Sequence, residues 1–369
     1  MTSSPWYKLT NEADADSPAL IIYKDRVRQN IDTLINSIDD KDRLRPHVKT
    51  HKSPEVARMF MEKGIQKFKC ATISEAEMLS NAGATDVLLA YQPVGPKAKR
   101  LVDLVAAFPQ TTFTCLIDNA RTGRALSEQF AAAGNVLGYY VDVNVGMNRT
   151  GIAAEHVRAL IDTIGSLSGL RLQGLHVYDG HIRDQDFAVR KKRCDDAFER
   201  VIALVRQLSS KTDYPLTIVA GGTPTYSVHS QRQGVECSPG TFIYWDKGYE
   251  KILPEQYYLH AAVVLTRVIS KPTPDTVCID LGHKSIASEN PLPDRVYFLN
   301  APELIPIGHS EEHMVLKTNG AALEVGDALY GIPFHVCPTI ALYDSPLVAS
   351  GNTIVDAWHT LSRNRKITI

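Results

Sequence analysis

Eight short apolar segments alternate with amphipathic segments between residues 18 and 250, and this rhythm restricts the fold more than any other feature of the chain. The apolar segments predict β-strands at 44–49, 67–72, 86–91, 112–117, 137–145, 171–178, 216–221 and 235–244. Helical periodicity between most of them predicts helices at 53–63, 74–82, 96–107, 119–133, 153–167 and 185–209. Eight strands separated by helices over roughly 230 residues are typical of an α/β fold of the TIM type, a (β/α)8 barrel.

The segments beyond residue 255 predict a second domain. A strand at 19–23 and a helix up to Ile38 precede the barrel pattern, and beyond residue 255 strand-like runs follow one another between Pro, Gly and Asn-Gly turns. These runs lie at 261–269, 276–280, 295–300, 313–317, 328–330, 340–343, 347–349 and 353–358. We therefore expect a barrel over 18–255 and a smaller β-rich domain over 1–17 plus 256–369. A doubly wound open sheet is the alternative, but no glycine-rich fingerprint follows the first strand.

Composition excludes several classes of protein. With 369 residues and 44% hydrophobic content, the chain can bury a large core. A net charge of −1 gives no basic surface for nucleic acid or for a membrane. No run is apolar enough for a signal peptide or a membrane span, and the six cysteines show no CxxC spacing. A reducing, cytoplasmic location is expected.

Lys49 is the first candidate for chemistry. It ends the first predicted barrel strand, at the face where such barrels keep their active sites. Covalent amine chemistry needs a lysine in a partly desolvated site, because a solvated ammonium is no nucleophile near pH 7. The alternative is a basic loop before a solvated helix, since Arg45, His47, His51 and Lys52 are close in sequence.

A glycine-rich loop follows the seventh predicted strand. Gly221 and Gly222 allow backbone N–H groups to approach an anion, and the hydroxyls of Thr223 and Thr225 add donors. Barrels often bind phosphate at this position. Residues 238–241 could supply the other side of the site. A plain turn would explain the glycines but not the threonines.

Two further loops carry polar candidates. Arg149 lies between two glycines after the fifth strand, where it could bind an anionic or phenolic oxygen, or form only a surface ion pair. After the sixth strand, Tyr178 could pack on an aromatic ring, and His176 or His181 could relay protons. A core histidine satisfied by a carbonyl is the alternative for either imidazole.

His335 and Cys337 are two residues apart in the β-rich tail. On a strand, residues at i and i+2 point to the same face, so both side chains could bind one Zn²⁺. Two ligands alone are weak evidence for a metal, and a buried Cys beside a His is commonly a packing arrangement.

Four motifs in one order resemble a known family. RPHVKTHK (45–52), ATISEAE (71–77), GGTPT (221–225) and HVCPT (335–339) resemble the D-threonine aldolase and D-serine dehydratase family, whose members are pyridoxal-phosphate enzymes built like alanine racemase. GMNR (146–149) is similar to a motif of the alanine racemases themselves. The resemblance implies a barrel carrying pyridoxal 5′-phosphate, a β-rich domain, and a head-to-tail homodimer acting on a small D-amino acid.

The resemblance also assigns roles to residues. It implies that Lys49 holds the cofactor as a Schiff base, with Tyr178 beside the ring and Arg149 facing the phenolic oxygen. The remaining implied contacts are to the phosphate, from Gly222, Thr223 and Tyr244. His335 and Cys337 would bind a divalent metal (zinc, manganese or magnesium) near the substrate β-hydroxyl, and His181 is the imidazole expected to take part in catalysis.

The implied chemistry leaves two reactions open. A metal on the β-hydroxyl favours either Cα–Cβ cleavage to glycine and an aldehyde, or loss of hydroxide after Lys49 removes the α-proton, giving a 2-oxo acid and ammonia. Cys337 resembles the dehydratases, since aldolases of the family tend to carry aspartate there, and Arg183-Asp184 replaces a Gln-His pair of the aldolases. The sequence as a whole is more similar to bacterial D-threonine aldolases, so an aldolase is expected. An amino-acid racemase, a non-catalytic pyridoxal-phosphate carrier and a metal-free sugar-phosphate enzyme are further alternatives.

Overall fold

The computed structural model describes residues 5–208 and 214–369, and this part of the chain forms two compact units. The barrel unit comprises Leu34–Lys49, Pro54–Gly240 and Asn364–Ile369. The β-rich unit comprises the residues up to Thr33, together with Thr50–Ser53 and Thr241–Arg363. These bounds differ from the expected boundaries at 17/18 and 255/256, because the strand at Ala19–Tyr23 pairs with strands of the β-rich unit.

The described residues include seventeen strands and ten α-helices. The helices are α1 (Lys24–Asn36), α2 (Pro54–Glu62), α3 (Ile73–Ala82), α4 (Pro96–Ala107), α5 (Ala120–Ala132), α6 (Ala154–Ile164), α7 (Phe187–Leu208), α8 (Tyr226–His229), α9 (Lys247–Ile252) and α10 (Val336–Leu342). The first nine strands are β1 (Ala19–Tyr23), β2 (Lys67–Cys70), β3 (Asp86–Leu89), β4 (Thr112–Ile117), β5 (Leu137–Asn144), β6 (Ile152–Ala153), β7 (Leu170–Val177), β8 (Thr217–Ala220) and β9 (Val235–Cys237). The others are β10 (Ala262–Thr273), β11 (Thr276–Ile279), β12 (Val296–Phe298), β13 (Ile305–His309), β14 (Met314–Lys317), β15 (Ala328–Pro333), β16 (Leu347–Ser350) and β17 (Thr353–Ala357).

The barrel unit is built on parallel strands, as the alternating pattern predicts. Seven strands pair in the order β2-β3-β4-β5-β7-β8-β9, and the two-residue β6 lies beside β5. The two ends of this sheet are joined by the segment 44–47, in which Leu44 pairs with Cys237 of β9 and His47 pairs with Lys69 of β2. The predicted (β/α)8 barrel is thereby confirmed, together with its β-rich companion.

The first predicted strand, 44–49, is wrong as a regular strand. Only two isolated bridges form there, and Val48–Thr50 turn into a 3-10 helix. Pro46 cannot donate a ladder hydrogen bond, which explains why the pairing stays short. Its carbonyl does accept a bond from Lys69 N at 2.9 Å, so the circuit of backbone hydrogen bonds is still completed.

Local signals explain the barrel helices. In α3, Thr72 is the N-cap and accepts a bond from Glu75 N at 3.1 Å, while Gly83 takes the left-handed conformation (φ 104°) that ends the helix. Helix α4 begins with Pro96 in its first turn and has the predicted bounds. The predicted helix 185–209 is α7, whose described residues end at Leu208, so position 209 lies outside them.

The β-rich unit contains one mostly antiparallel sheet. Its main path is β13-β14-β11-β10-β1-β16-β17, and β15 pairs with both β10 and β12. β1 is antiparallel to β10 and parallel to β16. The buried core on this sheet includes Ile21, Tyr23, Val263, Leu265 and Tyr330.

Two features of the β-rich unit differ from the sequence prediction. The predicted strand 340–343 is wrong, since these residues belong to or follow α10, which buries Val336, Thr339 and Ile340 at helical spacing. β13 was not predicted, because Pro306 and Gly308 interrupt its apolar alternation. No helix in the part of the chain that the structure describes has both the length and the apolar character needed to cross a membrane.

A buried arginine fixes the segment that closes the barrel. Arg45 donates from Nε to Glu236 at 2.7 Å and from Nη1 and Nη2 to Asp86 at 2.6 and 3.0 Å. Burial alone would lower the pKa of Arg45, but Glu236 and Asp86 outweigh this effect and raise it. Arg45 therefore ties the closing segment to β9 on one side and to β3 on the other.

We expect Arg45→Met to lower the free energy of unfolding by about 3 kcal/mol, because Glu236 and Asp86 both lose a buried, hydrogen-bonded guanidinium partner. Lys67→Met is the matched control: Lys67 also pairs with Glu236, at 2.6 Å, but it is more exposed. Lys67→Met should lower the free energy of unfolding by less than about 1 kcal/mol. Urea unfolding of both variants measures the difference, and equal losses would contradict this role of Arg45.

Candidate active site

A cavity of about 510 Å³ opens at the carboxyl ends of the barrel strands. All of its lining residues belong to the barrel unit. They are His47, Lys49, Lys69, Ala71, Ala90, Tyr91, Gln92, Val94, Arg149, Thr150, His176 and Tyr178. This volume is in the range of pockets that bind small molecules and cofactors. Lys49, Arg149 and Tyr178, three of the predicted site residues, thus meet in one place.

Three cationic groups surround the ring of Tyr178. Lys49 Nζ lies 6.0 Å, Lys69 Nζ 5.4 Å and Arg149 Cζ 4.8 Å from the ring centroid. Lys49 follows the closing segment directly, and its backbone N–H donates to His47 Nδ1 at 3.2 Å. Arg45 is not part of this group, because its charge is paired with Glu236 and Asp86. Such a concentration of positive charge suits an anionic ligand.

A tight loop holds Arg149 at the cavity. Asn144 Oδ1 accepts bonds from Gly146 N at 3.0 Å and Asn148 N at 3.1 Å, and Asn148 takes a left-handed conformation (φ 56°). Asn is among the residues that tolerate this region. The loop thus turns the exposed side chain of Arg149 back over the end of the barrel.

The glycine-rich loop after β8 lies against Tyr178. A Cβ atom built on Gly222 would lie 3.0 Å from Tyr178 Cε2, so a side chain here would crowd the ring. Gly221 has a positive φ of 70°, and the Thr223 hydroxyl accepts a bond from Gly240 N at 3.1 Å. Gly222 and Thr223 therefore share one end of the barrel with Lys49. Tyr244, the third predicted phosphate ligand, is buried in the β-rich unit.

A buried polar network supports this loop from below. Asp179 accepts bonds from Thr225 Oγ1 at 2.7 Å, from His229 Nε2 at 2.8 Å and from Cys194 Sγ at 3.4 Å. Burial would raise the pKa of Asp179, but His229 above all, with Thr225 and Cys194, holds it below its usual range. The carboxylate of Asp179 therefore stays charged. Because Asp179 directly follows Tyr178, the bond from Thr225 ties the glycine-rich loop to the segment after β7.

Asp179, Cys194 and His229 are also the one group of three potential metal ligands found among residues 5–208 and 214–369. Their chemistry suits zinc. However, neighbouring ligands of a tetrahedral zinc ion lie about 3.3–3.8 Å apart, given metal–ligand distances near 2.0–2.3 Å. The 2.8 Å contact between Asp179 and His229 is instead a hydrogen-bond distance.

His176 presents an imidazole nitrogen at the cavity. Its Nδ1 lies 2.7 Å from Asp142 Oδ1, while its buried Nε2 has no hydrogen-bond partner in the described structure. Burial and the nearby Lys69 lower the pKa of His176. Because the Asp142 carboxylate is an acceptor, Nδ1 carries the proton of the neutral ring and Nε2 carries a lone pair.

His181, the predicted catalytic imidazole, does not line this cavity. Its ring lies beside the Arg149 loop, where a Cβ on Gly146 would be 3.2 Å from His181 Nε2. Its catalytic role stays a prediction. The sequence did indicate His176, but only as an alternative to His181.

The predicted metal ligands lie together in the β-rich unit, at the start of a helix rather than on a strand. His335 is the N-cap of α10 and Cys337 is in its first turn. Cys337 Sγ lies 3.1 Å from Thr50 Oγ1, and His335 Nδ1 contacts Glu289. Burial would lower the pKa of His335, but Cys337, Glu289 and Asp246 raise it to about 9. Asp246 also fixes the turn, by accepting a bond from Val336 N at 3.0 Å.

Lys69 was not predicted as a site residue. It is only 3% exposed and lines the cavity from the third residue of β2. Burial and the charge of Lys49 lower its pKa to about 7. The alternation of β2, in which Phe68 and Cys70 flank Lys69, is the signal that could have placed this side chain inside.

Comparison with known proteins identifies the family. The alanine racemase N-terminal domain family matches residues 22–247, which is more than half of the chain. The chain belongs to the alanine racemase N-terminal domain family. A serine dehydratase domain matches residues 261–349, within the β-rich unit. The motifs that suggested this family in the sequence thus lie in the matched segments.

Several proteins resemble this family member over nearly their full length. A D-threonine aldolase of Arthrobacter sp is 28% identical, with 95% of this chain and 93% of that protein covered. A 3-hydroxy-D-aspartate aldolase of Paracoccus denitrificans (strain Pd 1222) is 26% identical, with 96% and 94% covered. A D-threo-3-hydroxyaspartate dehydratase of Delftia sp. (strain HT23) is 24% identical, with 94% and 97% covered. The crystal structure of D-threonine aldolase from Filomicrobium marinum has a TM-score of 0.87 and 29% identity, covering 95% of this chain and 96% of that one.

We expect Asp179→Asn to lower the free energy of unfolding by about 2 kcal/mol at pH 7, because charge-assisted hydrogen bonds are lost. Since the pKa of Asp179 is lowered in the folded state, its contribution is present above its ordinary pKa and is lost as the pH falls. The difference in free energy of unfolding between Asp179→Asn and the unsubstituted protein should therefore become smaller as the pH falls from about 5 to about 3. Urea unfolding at several pH values measures it.

The matched control is Asp196→Asn on α7, whose carboxylate pairs with Lys192 on the surface. This substitution should change the free energy of unfolding by less than about 0.5 kcal/mol. A pH-independent loss in Asp179→Asn would contradict the charged state assigned to Asp179.

Proposed function

We propose that this protein is a pyridoxal-phosphate-dependent, metal-assisted lyase of β-hydroxy-D-amino acids, and that it cleaves D-threonine to glycine and an aldehyde. The observation that carries the proposal is the meeting of Lys49, Arg149 and Tyr178 at one cavity of cofactor size, with Gly222 packed against the tyrosine ring. The similarity to a D-threonine aldolase and to 3-hydroxy-D-aspartate aldolases supports the same reaction class.

The residues present fit the cofactor. Lys49 has its amine at the cavity for covalent attachment to the aldehyde, and Tyr178 offers a flat face for the pyridine ring. Arg149 supplies a cation for the phenolic oxygen. The amides of Gly222 and Thr223 are proposed to bind the phosphate, and the part of Tyr244 stays a prediction. When bound, the cofactor supplies an electron sink for bond breaking at the substrate α-carbon.

His335 and Cys337 are the proposed ligands of the divalent metal. The two side chains are neighbours in the described structure, and thiolate and imidazole together suit zinc, with manganese and magnesium as alternatives. Thr50 and Asp246 hold this turn in place. The buried cluster of Asp179, Cys194 and His229 is a second candidate, although its hydrogen bonds already account for its geometry. We also propose that the active form is a homodimer.

A dehydratase is the second candidate function. The match of residues 261–349 to a serine dehydratase domain includes Cys337, which is the residue that resembles the dehydratases. The likeness to D-threo-3-hydroxyaspartate dehydratase points the same way. This reaction would convert a β-hydroxy-D-amino acid to a 2-oxo acid and ammonia.

A product assay distinguishes these reactions. We expect the purified protein, supplied with pyridoxal phosphate and Mn²⁺ or Zn²⁺, to convert D-threonine to glycine and acetaldehyde. Lys49→Ala should lower the rate of D-threonine cleavage at least about a hundredfold, because the Lys49 amine is proposed both to hold the cofactor and to transfer protons. Lys52→Ala, three residues along the chain, is the control and should stay within about threefold.

The other outcomes are equally informative. A 2-oxo acid and ammonia would establish the dehydratase instead. Bound cofactor without either set of products would contradict the lyase and leave a racemase or a carrier. A borohydride-reducible adduct that persists in Lys49→Ala would contradict the covalent role of Lys49.

Metal content tests the proposed ligands. We expect Cys337→Ala to bind zinc at least about tenfold more weakly than the unsubstituted protein, because a thiolate ligand is lost. Cys194→Ala is the matched control and should keep its metal. Elemental analysis after dialysis against buffered Zn²⁺ measures both variants. Loss of metal in Cys194→Ala alone would show that the buried cluster around Asp179 is the metal site.

A further inference from the structure

Lys69 is a buried cation for which the proposed cofactor contacts give no role. Its side chain lies inside the barrel, 3% exposed, and its amine is 5.4 Å from the centroid of the Tyr178 ring. Within residues 5–208 and 214–369, this amine contacts the Tyr178 ring but has no hydrogen-bond acceptor. Lysine is rarely this buried without an acceptor, so its position calls for a ligand that accepts hydrogen bonds.

The charges around Lys69 come from several strands and loops. Lys49 and Arg149 lower its pKa, while Asp142 and Asp179 raise it, and burial is the largest effect of all. The result is a pKa of about 7. An amine balanced in this way can gain a proton when an anion arrives beside it.

The order of the strands decides which side of the cofactor Lys69 faces. Around the barrel, β8 and β9 lie on one side of the closing segment 44–47 that leads to Lys49, and β2 lies on the other side. The phosphate loop follows β8, whereas Lys69 is on β2. The proposed phosphate site and Lys69 therefore flank Lys49 on opposite sides.

The cofactor has a matching arrangement of groups. In pyridoxal phosphate, the ring carbon that bears the aldehyde lies between two others. One of these bears the phosphate arm and the other bears the phenolic oxygen. With the aldehyde at Lys49 and the phosphate at the loop after β8, the phenolic oxygen is directed to the β2 side. Lys69 is the cationic side chain of β2 that lines the cavity.

We propose that Lys69 donates a hydrogen bond to the phenolic oxygen of pyridoxal phosphate, next to Arg149, and so stabilises the anionic form of the bound cofactor. This inference rests on the proposed function, because it requires the cofactor at Lys49. Lys69 is thus a cofactor-binding residue that tunes the protonation of the group attached to Lys49.

The expected effect has a definite sign. When the nitrogen that joins Lys49 to the cofactor loses its proton, the bound group becomes more negative by one charge. A cation beside the phenolic oxygen favours this more negative form, so Lys69 lowers the pH at which the proton leaves. Removing the charge of Lys69 should raise that pH.

The test is a pH titration of the visible absorbance of the cofactor-loaded protein. We expect Lys69→Met to raise the midpoint by about one to three pH units, the range for loss of a neighbouring opposite charge. Lys67→Met is the matched control, since Lys67 is on the same strand but pairs with Glu236 at the other end of β2. Its midpoint should equal that of the unsubstituted protein. Lys69→Gln, also uncharged but polar, serves if the methionine variant does not fold, and it should shift the midpoint in the same direction.

The possible outcomes separate the two proposals. An unchanged or lowered midpoint in both Lys69 variants, with normal absorbance in the unsubstituted protein, overturns the role of Lys69 and leaves the cofactor assignment intact. An equal rise in Lys67→Met also overturns it, because the effect would then be a general one of charge. Absence of visible absorbance in the unsubstituted protein after loading overturns the proposed function, and this inference with it.

Discussion

The closure of the barrel through residues 44–47 is the constraint on which the rest of the barrel unit depends. Arg45 N donates to Cys237 O and His47 N donates to Pro239 O, each at 2.9 Å, so backbone bonds join the segment to the end of β9. Because so few ladder bonds form, the side chain of Arg45 adds the fixation that a full strand would provide. Lys49 follows this segment by two residues and lies at the mouth of the barrel.

Positive charge at the mouth is balanced by two buried carboxylates. Lys49, Lys69 and Arg149 gather round one tyrosine ring, an arrangement that repels itself in the absence of an anion. Asp142 and Asp179 reduce this repulsion, and each is held in its charged form by hydrogen bonds that outweigh its burial. Such perturbed groups in a cleft are typical of a binding or catalytic site and unfavourable for folding alone.

Much of the fold follows from the sequence because local and long-range preferences agree there. Helix α4 begins at a Gly-Pro step and ends as predicted, since the proline in its first turn and the spacing of its apolar residues favour the same bounds. Agreement fails where a Pro lies in a short strand, as in β13, and in the closing segment, where pairing with distant strands decides the structure. The helix α10 was missed because an apolar run of four residues fits either period, and only the spacing of Val336 and Thr339 distinguishes them.

The site could be predicted wherever its residues end a parallel strand, because the carboxyl ends of neighbouring strands meet at one edge. Arg149, Tyr178 and Gly222 follow that rule, since they come after β5, β7 and β8, and Lys49 comes after the closing segment that takes the place of the first strand. Lys69 does not, since it lies within β2, and its inward direction depends on the register that His47 imposes. A lysine at an inward position of a barrel strand lowers the free energy of unfolding, because its charge loses its hydration. Apolar packing does not compensate for this loss. The cost is offset when an anion binds beside it, so a charged residue among the inward positions of a predicted strand is itself a signal of a ligand.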